Sequence, residues 1–451
     1  MTERFDVVVV GARCAGSPLA ALLARRGLRV AVVDRVTFPR DTLSTHIFQT
    51  QALAILERLG VADEIRATGA DLVGRVDFRL EDLHFTRVFP QRPGDIGGCT
   101  SVRRYLLDPI LADAAAEAGA DLLMGARVTG VVEDGGRVAG VRIERNGSDS
   151  VVEARVVVGA DGRNSAIASL VGARKYNVTA NERFAYWSFF EDAECGEDPA
   201  LVVHRWQDWF ILAVPSDSGL YQVVVLPALS QLPRFRADLE GSYIEHALNC
   251  EPVAEVLSKA RRVGKIFGAL RWECFFRQPS GGGWVLLGDA GHFKDPCAGQ
   301  GIQDALRQAE ALAPVIARGI EGSNDALDRA LAEWGRWRDK DAVGHYWFAQ
   351  DMGKEGPAPA ALCEVGQWLL EHERIDGLVD VMCHRALPSE IITPPRIMTA
   401  FLRLLARPGS DRRALVREFF PLVAENIHRQ QLNQRPQYVS AEVATGPGMP
   451  A

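Results

Sequence analysis

The eight cysteines include no C-x-x-C pair, and the nine histidines show no metal-ligand spacing. Neither a disulfide framework nor a metal site is suggested, so no metal is expected. No Lys/Arg run stands out. A net charge of −7 and a pI near 5.8 lack the basic footprint of a nucleic-acid binder, and no nucleic-acid partner is expected. No apolar run approaches the length of a bilayer span, and the first strand-like run starts at Phe5, with no signal peptide before it. The expectation is a cytoplasmic enzyme without membrane insertion, acting as a monomer or homodimer. Internal repeats and low-complexity blocks are absent too. What remains is 451 residues at 47% hydrophobic, enough for a large core, two intimately joined domains and an extension.

Three segments carry chemistry. In the first, Phe5–Val10 reads as a strand and Gly11-Ala12-Arg13-Cys14-Ala15-Gly16 as the turn after it. Ser17 to Arg26 reads as a helix packed through Leu19, Leu22 and Leu23, ended by Gly27. Leu28 to Val33 is then a second strand terminating at Asp34, 18 residues beyond Gly16. This is the context a dinucleotide-binding turn needs: glycines for the tight turn and for close helix–strand packing, a helix N-terminus for pyrophosphate, and an acid for ribose. The middle glycine of that pattern is replaced by Arg13, whose guanidinium is itself suited to a phosphate. The second segment, Val156–Gly159 followed by Ala160-Asp161-Gly162-Arg163-Asn164-Ser165, is another strand ending in an Asp-Gly turn. Upstream of it, Arg104-Tyr105-Leu106-Leu107-Asp108 opens a helix running to Ala118. In the third, Trp284–Leu287 reads as a buried strand leading into Gly288-Asp289-Ala290-Gly291-His292, then Pro296 and Gly299-Gln300-Gly301, with a helical pattern from Ile302. An acid at a strand end accepts hydrogen bonds from sugar-like hydroxyls, and a glycine-rich turn opening a helix admits an anion.

In this order and spacing the three segments resemble the para-hydroxybenzoate hydroxylase-like superfamily of FAD-dependent enzymes, which includes aromatic hydroxylases, flavin halogenases and geranylgeranyl reductases. The resemblance covers roughly residues 1 to 320. It implies that Gly11, Gly16 and Asp34 hold the ADP half of FAD. Arg104 would lie along the ribityl and pyrophosphate region, and Asp289 would bind the ribityl chain. Pro296, Gly299, Gln300, Gly301 and Ile302 would lie beside the isoalloxazine, with Ser44, Thr45 and His46 on a loop against it. Asp161 and Gly162 match a turn associated with FAD and NAD(P)H. Arg13, Ala15, Arg35 and Val128 complete the implied cofactor set. An Arg that often follows Ser165 in the family is replaced here by Ala166, Ile167 and Ala168, which bears on docking of a nicotinamide.

The expected fold class is α/β: a Rossmann-like FAD-binding domain, an interleaved antiparallel substrate sheet and a helical C-terminal region. The FAD-binding domain is read as discontinuous, from residues 1–75, 98–175 and 276–320, with a hairpin of Val128–Val132 and Val138–Ile143 joined through Asp134-Gly135-Gly136. Residues 76–97 and 176–275 are read as the substrate sheet, through alternating runs at Phe184–Phe190, Leu201–Trp206, Trp209–Val214 and Tyr221–Leu226. Residues 321–435 form a helical cover with breaks at Gly356-Pro357-Ala358-Pro359 and Thr393-Pro394-Pro395. Residues 436–451 are read as a frayed tail.

Within the resemblance, three reactions compete. A halogenase would carry an early lysine and a G-W-x-W-x-I-P segment. No lysine precedes Lys175, and Trp187, Trp206 and Trp209 are spaced differently. A prenyl reductase would need a long apolar tunnel, which the sequence neither shows nor excludes. The leading expectation is a monooxygenase that uses NADPH or NADH and inserts one oxygen atom from dioxygen into a small organic substrate, aromatic or polyketide-like. A phenolic substrate becomes more nucleophilic on deprotonation, which makes His204, Tyr186 and His46 the candidate catalytic residues by position. Core packing is the competing reading for the face bearing Phe184, Tyr186, Ser188 and Phe190, and a structural role for His292. A flavoprotein whose FAD is structural or regulatory stays open as another class.

Overall fold

The computed structural model describes residues 3–42 and 44–439. Its central sheet has strands in the order Ser280–Gly281, Trp284–Leu286, Ser148–Gly159, Glu3–Val10, Val30–Asp34 and Asp121–Met124. The five strands from Trp284–Leu286 to Asp121–Met124 run parallel. Continuous valine runs suit strands covered on both sides, and Val7, Val8 and Val9 have no exposed surface. One side is covered by the helices Gly16–Ala24, Arg104–Glu117 and Gly301–Gly319 through Leu19, Leu23, Leu107, Leu111, Leu306 and Leu312. On the other, the hairpin Arg127–Asp134 and Arg137–Arg145 pairs onto the long strand Ser148–Gly159.

The first helix is shorter than its sequence pattern. Gly27, in the left-handed region at φ +83°, closes it by donating to the carbonyl of Ala24, and the N–H of Leu28 turns back to Leu23. Those residues are spent on the turn, so the next strand opens at Val30 rather than Leu28.

A second, seven-stranded sheet has the order Arg261–Ala269, Ala185–Glu191, Tyr221–Val225, Trp209–Pro215, Ala200–Trp206, Arg75–Leu80 and Leu83–Val88. All its pairs are antiparallel except one: Ala200–Trp206 runs parallel to Arg75–Leu80. The stretch after Leu226 departs from the strand reading. It forms three short helices, Leu232–Ala237, Leu239–Leu248 and Glu251–Val256, started by Pro233, by the Asp238 side chain accepting from Gly241, and by Pro252. They cover one face of this sheet through Phe235, Tyr243 and Val253. The opposite face meets the C-terminal helices through Leu201, Val203, Leu212, Phe189 and Trp187.

The fold is therefore α/β with a Rossmann-like sheet, an interleaved, mostly antiparallel second sheet and a helical C-terminal region. The last comprises Asn324–Gly353, Ala360–Glu371, Asp376–Met382, Pro388–Ile391, Pro394–Ala406 and Arg412–Gln434. Of the expected tail, 436–451, residues 440–451 lie outside the described residues. Before that point the chain is pinned, because Val439 donates to the Lys175 carbonyl and Tyr438 packs edge-on against Tyr176. Among the described residues no helix is long and apolar enough to cross a membrane.

Candidate active site

The first turn is built around absent side chains. Gly11 has φ +107°, and a Cβ on it would lie 2.3 Å from the Ala160 carbonyl oxygen; one on Gly16 would lie 1.8 Å from the Gly11 oxygen. Neither position tolerates a larger residue. The helix that follows has no side-chain cap and no acid in its first turn; the Ser17 N–H is taken by the Arg13 carbonyl and Pro18 has none, which leaves the Gly16 N–H at the helix start for an anion. Asp34 is buried at the end of the neighbouring strand and accepts from Ala12 N–H (2.8 Å) and Val36 N–H (3.0 Å). A carboxylate offers about four lone pairs, so two remain for ribose hydroxyls. Arg35 is exposed beside it. Val128 is half-buried, two residues beyond Ala126, whose N–H donates to the Asp34 carbonyl.

Arg13 neither points to solvent nor stands alone. Its Nη1 pairs with Asp108 Oδ2 at 2.8 Å, while Arg104 Nε pairs with Asp108 Oδ1 at 2.6 Å. Asp108 is fully buried, and the sharing leaves one net positive charge beside the uncapped helix. Burial works against the charge on Arg104, but the Asp108 carboxylate outweighs it and raises the guanidinium above its ordinary value. Asp108 was not among the expected site residues, although its i+4 spacing from Arg104 on one helix was legible.

The Gly288–Ala290 turn reaches the same place from the third segment. Gly288, at φ +59°, comes so close to the first turn that a Cβ would lie 3.1 Å from that of Ala15. Beyond it, Asp289 accepts no hydrogen bond from any described residue. Burial raises its carboxyl from 3.8 to about 6, against the opposing charges of His292, Arg104 and Arg163. A recessed carboxylate without a protein partner fits the hydroxyls of a ribityl chain. Further on, Asp295 caps the Pro296–Ala298 turn through Cys297 N–H (3.0 Å) and also accepts from Trp272 Nε1 (3.1 Å). Gly299 adopts φ +63°, and a Cβ at Gly299 or Gly301 would face open space. Gln300, by contrast, is buried and structural: Nε2 donates to the carbonyls of Val381 and Met382, and Oε1 accepts from Lys294. Ile302 is buried in the helix that starts there. Behind this turn Lys294 pairs with Asp304 at 2.7 Å, and His292 and His384 close on the same carboxylate at 3.3 and 3.0 Å. Together they hold Asp304 well below the usual carboxylate range despite its burial. His292 is thus a structural partner.

Asp161 is also structural. Its carboxylate accepts from Ser165 Oγ, Ala166 N–H and Ile167 N–H, capping the helix Ala166–Leu170. Gly162, at φ +80°, allows the turn. Arg277, which no sequence signal flagged, joins this turn to the Asp289 turn by donating to the carbonyls of Arg163 (3.0 Å) and Ala290 (2.9 Å).

His46 sits in the left-handed region at φ +61°, its N–H bonded to Ser44 Oγ, with the half-buried Thr45 between them. Its Nδ1 accepts from the Arg104 N–H at 3.1 Å, which assigns the ring proton to Nε2. Burial, helped by the Arg104 charge, lowers its pKa to about 3, so the ring is neutral. It lies edge-on to Phe189 and near Trp187. His204 and Tyr186 are elsewhere. Side chains alternate along a strand, and both project from the face covered by the short helices: Tyr186 stacks on Phe235, and His204 bonds to Asp77 and Cys250. The structure does not bring these two catalytic candidates to the pocket.

A pocket lies between the inner face of the second sheet and the Cys297–Gly299 turn, lined by Ile47, Phe78, Leu201, Leu212, Phe348 and Met382 among others. Its polar member is Gln49, whose buried Oε1 has no partner among the described residues. Arg103 fixes the sheet to the cofactor side by donating to Asp217 from its N–H (2.7 Å) and Nε (2.8 Å).

The glycine cradle, the uncapped helix, the shared Arg13–Asp108–Arg104 charge and the unpartnered Asp289 all fit FAD. Comparison with known proteins points the same way. Residues 4–232 match the sequence profile of a family described as an FAD binding domain. The chain is similar to the 6-methylpretetramide 4-monooxygenase of Streptomyces rimosus, at 28% identity over 343 residues, covering 72% of this chain and 78% of that one. It is similar to the menaquinone reductase of Mycolicibacterium smegmatis, at 29% identity over 342 residues, covering 71% and 78%. A flavin-dependent brominase structure aligns over 95% of this chain and 100% of its own, with a TM-score of 0.71 at 19% identity, a likeness of fold.

Proposed function

The chain belongs to the FAD binding domain family of oxidoreductases, and from that premise we propose that it is a monooxygenase acting on a flat, largely apolar organic substrate, aromatic or polyketide-like. NADPH or NADH is the electron donor in this reading. Bound FAD supplies two-electron chemistry and, when reduced, the activation of dioxygen. The protein's residues bind, orient and exclude water. The helix after Gly11 and the Arg13–Asp108–Arg104 group hold the pyrophosphate, Asp34 the ribose and Asp289 the ribityl hydroxyls. His46 keeps a proton on Nε2 at ordinary pH and acts as a fixed donor rather than a base.

The observation that carries the reading is the apolar lining beside the Cys297–Gly299 turn, where Phe78, Leu201, Leu212 and Phe348 enclose only about 20 Å³ of free space, so that these side chains must part to admit a substrate. Such a lining orients a flat substrate and keeps bulk water from the reacting atoms. The lack of any lysine before Lys175 supports oxygen insertion over halogenation, and the monooxygenase of Streptomyces rimosus is one of several relatives of different activity. One observation favours a second reading. The pocket lining includes no Asp, Glu, His, Lys or Arg, which suits reduction of an isoprenoid double bond as well as it suits hydroxylation. Turnover under isotope-labelled dioxygen separates them. Oxygen insertion places one labelled atom in the product and the other in water. A product carrying two added hydrogens, formed without oxygen, overturns the proposal in favour of a reductase.

A further inference from the structure

On the outer face of the second sheet, away from the pocket, three side chains from three strands converge. Asp77 Oδ1 lies 2.7 Å from His84 Nε2 and 3.0 Å from His204 Nε2. One ligand atom from each residue falls within 4.8 Å of the others. Asp77 and His84 belong to the hairpin Arg75–Leu80 and Leu83–Val88, while His204 comes from the strand paired in parallel with it. We propose that Asp77, His84 and His204 form a binding site for a divalent transition ion of the zinc class, a two-histidine, one-carboxylate site completed by water.

The donor set is the first argument. Two imidazole nitrogens and one carboxylate oxygen suit zinc, with ligand bonds of about 2.0–2.2 Å, and a three-ligand set leaves a position open to solvent. Tetrahedral bonds of that length put donor atoms about 3.3 Å apart, so Asp77 Oδ1 needs to draw back by some tenths of an ångström from each histidine nitrogen, and the two nitrogens already lie within 4.8 Å of one another. The second argument is the support behind the ligands. His204 Nδ1 faces Cys250 Sγ at 3.5 Å, in a buried pocket, so the sulfur can accept an Nδ1–H and direct the Nε2 lone pair at the ion. His84 is exposed and gives the ion a route in. One cation is close: Arg79 lies opposite both His84 and His204 in the strand register. Its side chain turns away, with Nε donating to the Glu81 carbonyl at 3.0 Å and the guanidinium lying over Trp206.

Such an ion would staple strands 127 residues apart in sequence, as measured from Asp77 to His204. The same hairpin sends Phe78 to the pocket from its other face, so occupancy would stiffen one wall of the substrate slot.

The test uses the full-length, FAD-loaded protein, stripped with a chelator and titrated with Zn²⁺ by calorimetry, with Co²⁺ as an optical probe read beyond the flavin bands. Wild type is expected to bind one ion, with tetrahedral Co²⁺ absorption and a Zn²⁺-dependent rise in melting temperature. His84→Ala, at an exposed position, is expected to fold normally and weaken binding at least tenfold; Asp77→Asn should do likewise. Cys250→Ala should weaken it by roughly 10-fold or more while leaving the stoichiometry at one. No stoichiometric binding to wild type, or equal binding by wild type, His84→Ala and Asp77→Asn, overturns the proposal and leaves a hydrogen-bonded triad.

Discussion

Asp161 and Asp289 stand in near-equivalent places and do opposite things. Each follows a strand of the same parallel sheet, and those strands are neighbours, with Gly159 paired to Leu286. Arg277 bridges the two turns. Yet Asp161 is saturated by a hydroxyl and two N–H groups of its own helix, whereas Asp289 takes no hydrogen bond from any described residue. The first carboxylate completes a fold. The second is held in a position that weakens the fold in the absence of a ligand, because burial raises its pKa to about 6. A raised acid favours its protonated form in the folded state. The apo-protein therefore loses stability as pH rises from the unfolded value near 4 to the folded value near 6, and does not regain it above. An Asp-Gly turn by itself does not mark a ligand site; the proposed ribityl site rests instead on a carboxylate left unpaired.

The sharpest way to break the contrast is Asp289→Asn. FAD affinity is expected to fall by about 10- to 100-fold, the loss of a charge-assisted hydrogen bond. The same substitution should stabilise the apo-protein above pH 7 by about 1–2 kcal/mol, by removing the cost of ionising a partly buried acid, and thermal or urea unfolding of flavin-free protein reads it. Asp161→Ala should behave the other way. It is expected to lower stability by about 1–2 kcal/mol through loss of the helix cap while changing FAD affinity by less than about threefold. Equal flavin loss in both variants would erase the distinction.

A smaller effect is expected at Arg13. Arg13→Gly restores a glycine to the turn but leaves Asp108 with Arg104 alone, cancelling the local positive charge. FAD should bind several-fold more weakly and with less sensitivity to salt; unchanged or tighter binding would show that the guanidinium does not serve the phosphates. The smallest effect is expected at Tyr186→Phe, where stacking on Phe235 is kept and turnover should stay within about twofold.

Much of this arrangement was legible. Gly11, Gly16, Asp34 and the Gly288-to-Gly301 stretch announce themselves because tight turns and strand ends constrain residue type locally. What was not legible depends on direction or distance. Alternation along Ala185–Glu191 and Ala200–Trp206 separates two faces but does not say which one meets the pocket, so Tyr186 and His204 were candidates on the wrong side of a two-residue period. The pairing of Arg13 with Asp108 spans 95 residues, and Asp77, His84 and His204 meet only through strand pairing, so histidine spacing along the chain was silent about them. The three helices after Leu226 were read over as sheet, although Pro233, Asp238 and Pro252 mark their starts.

The contrast rests on Asp289 being the carboxylate reserved for the cofactor, and the pH dependence of FAD dissociation tests that most directly. Hydroxyl donors favour the ionised form, so binding releases a proton wherever the apo-protein holds Asp289 protonated. For the wild type, the dissociation constant is expected to be level above about pH 6.5 and to rise as pH falls through about 6, whereas Asp289→Asn should be flat across that window. Parallel profiles for the two proteins would contradict the assignment.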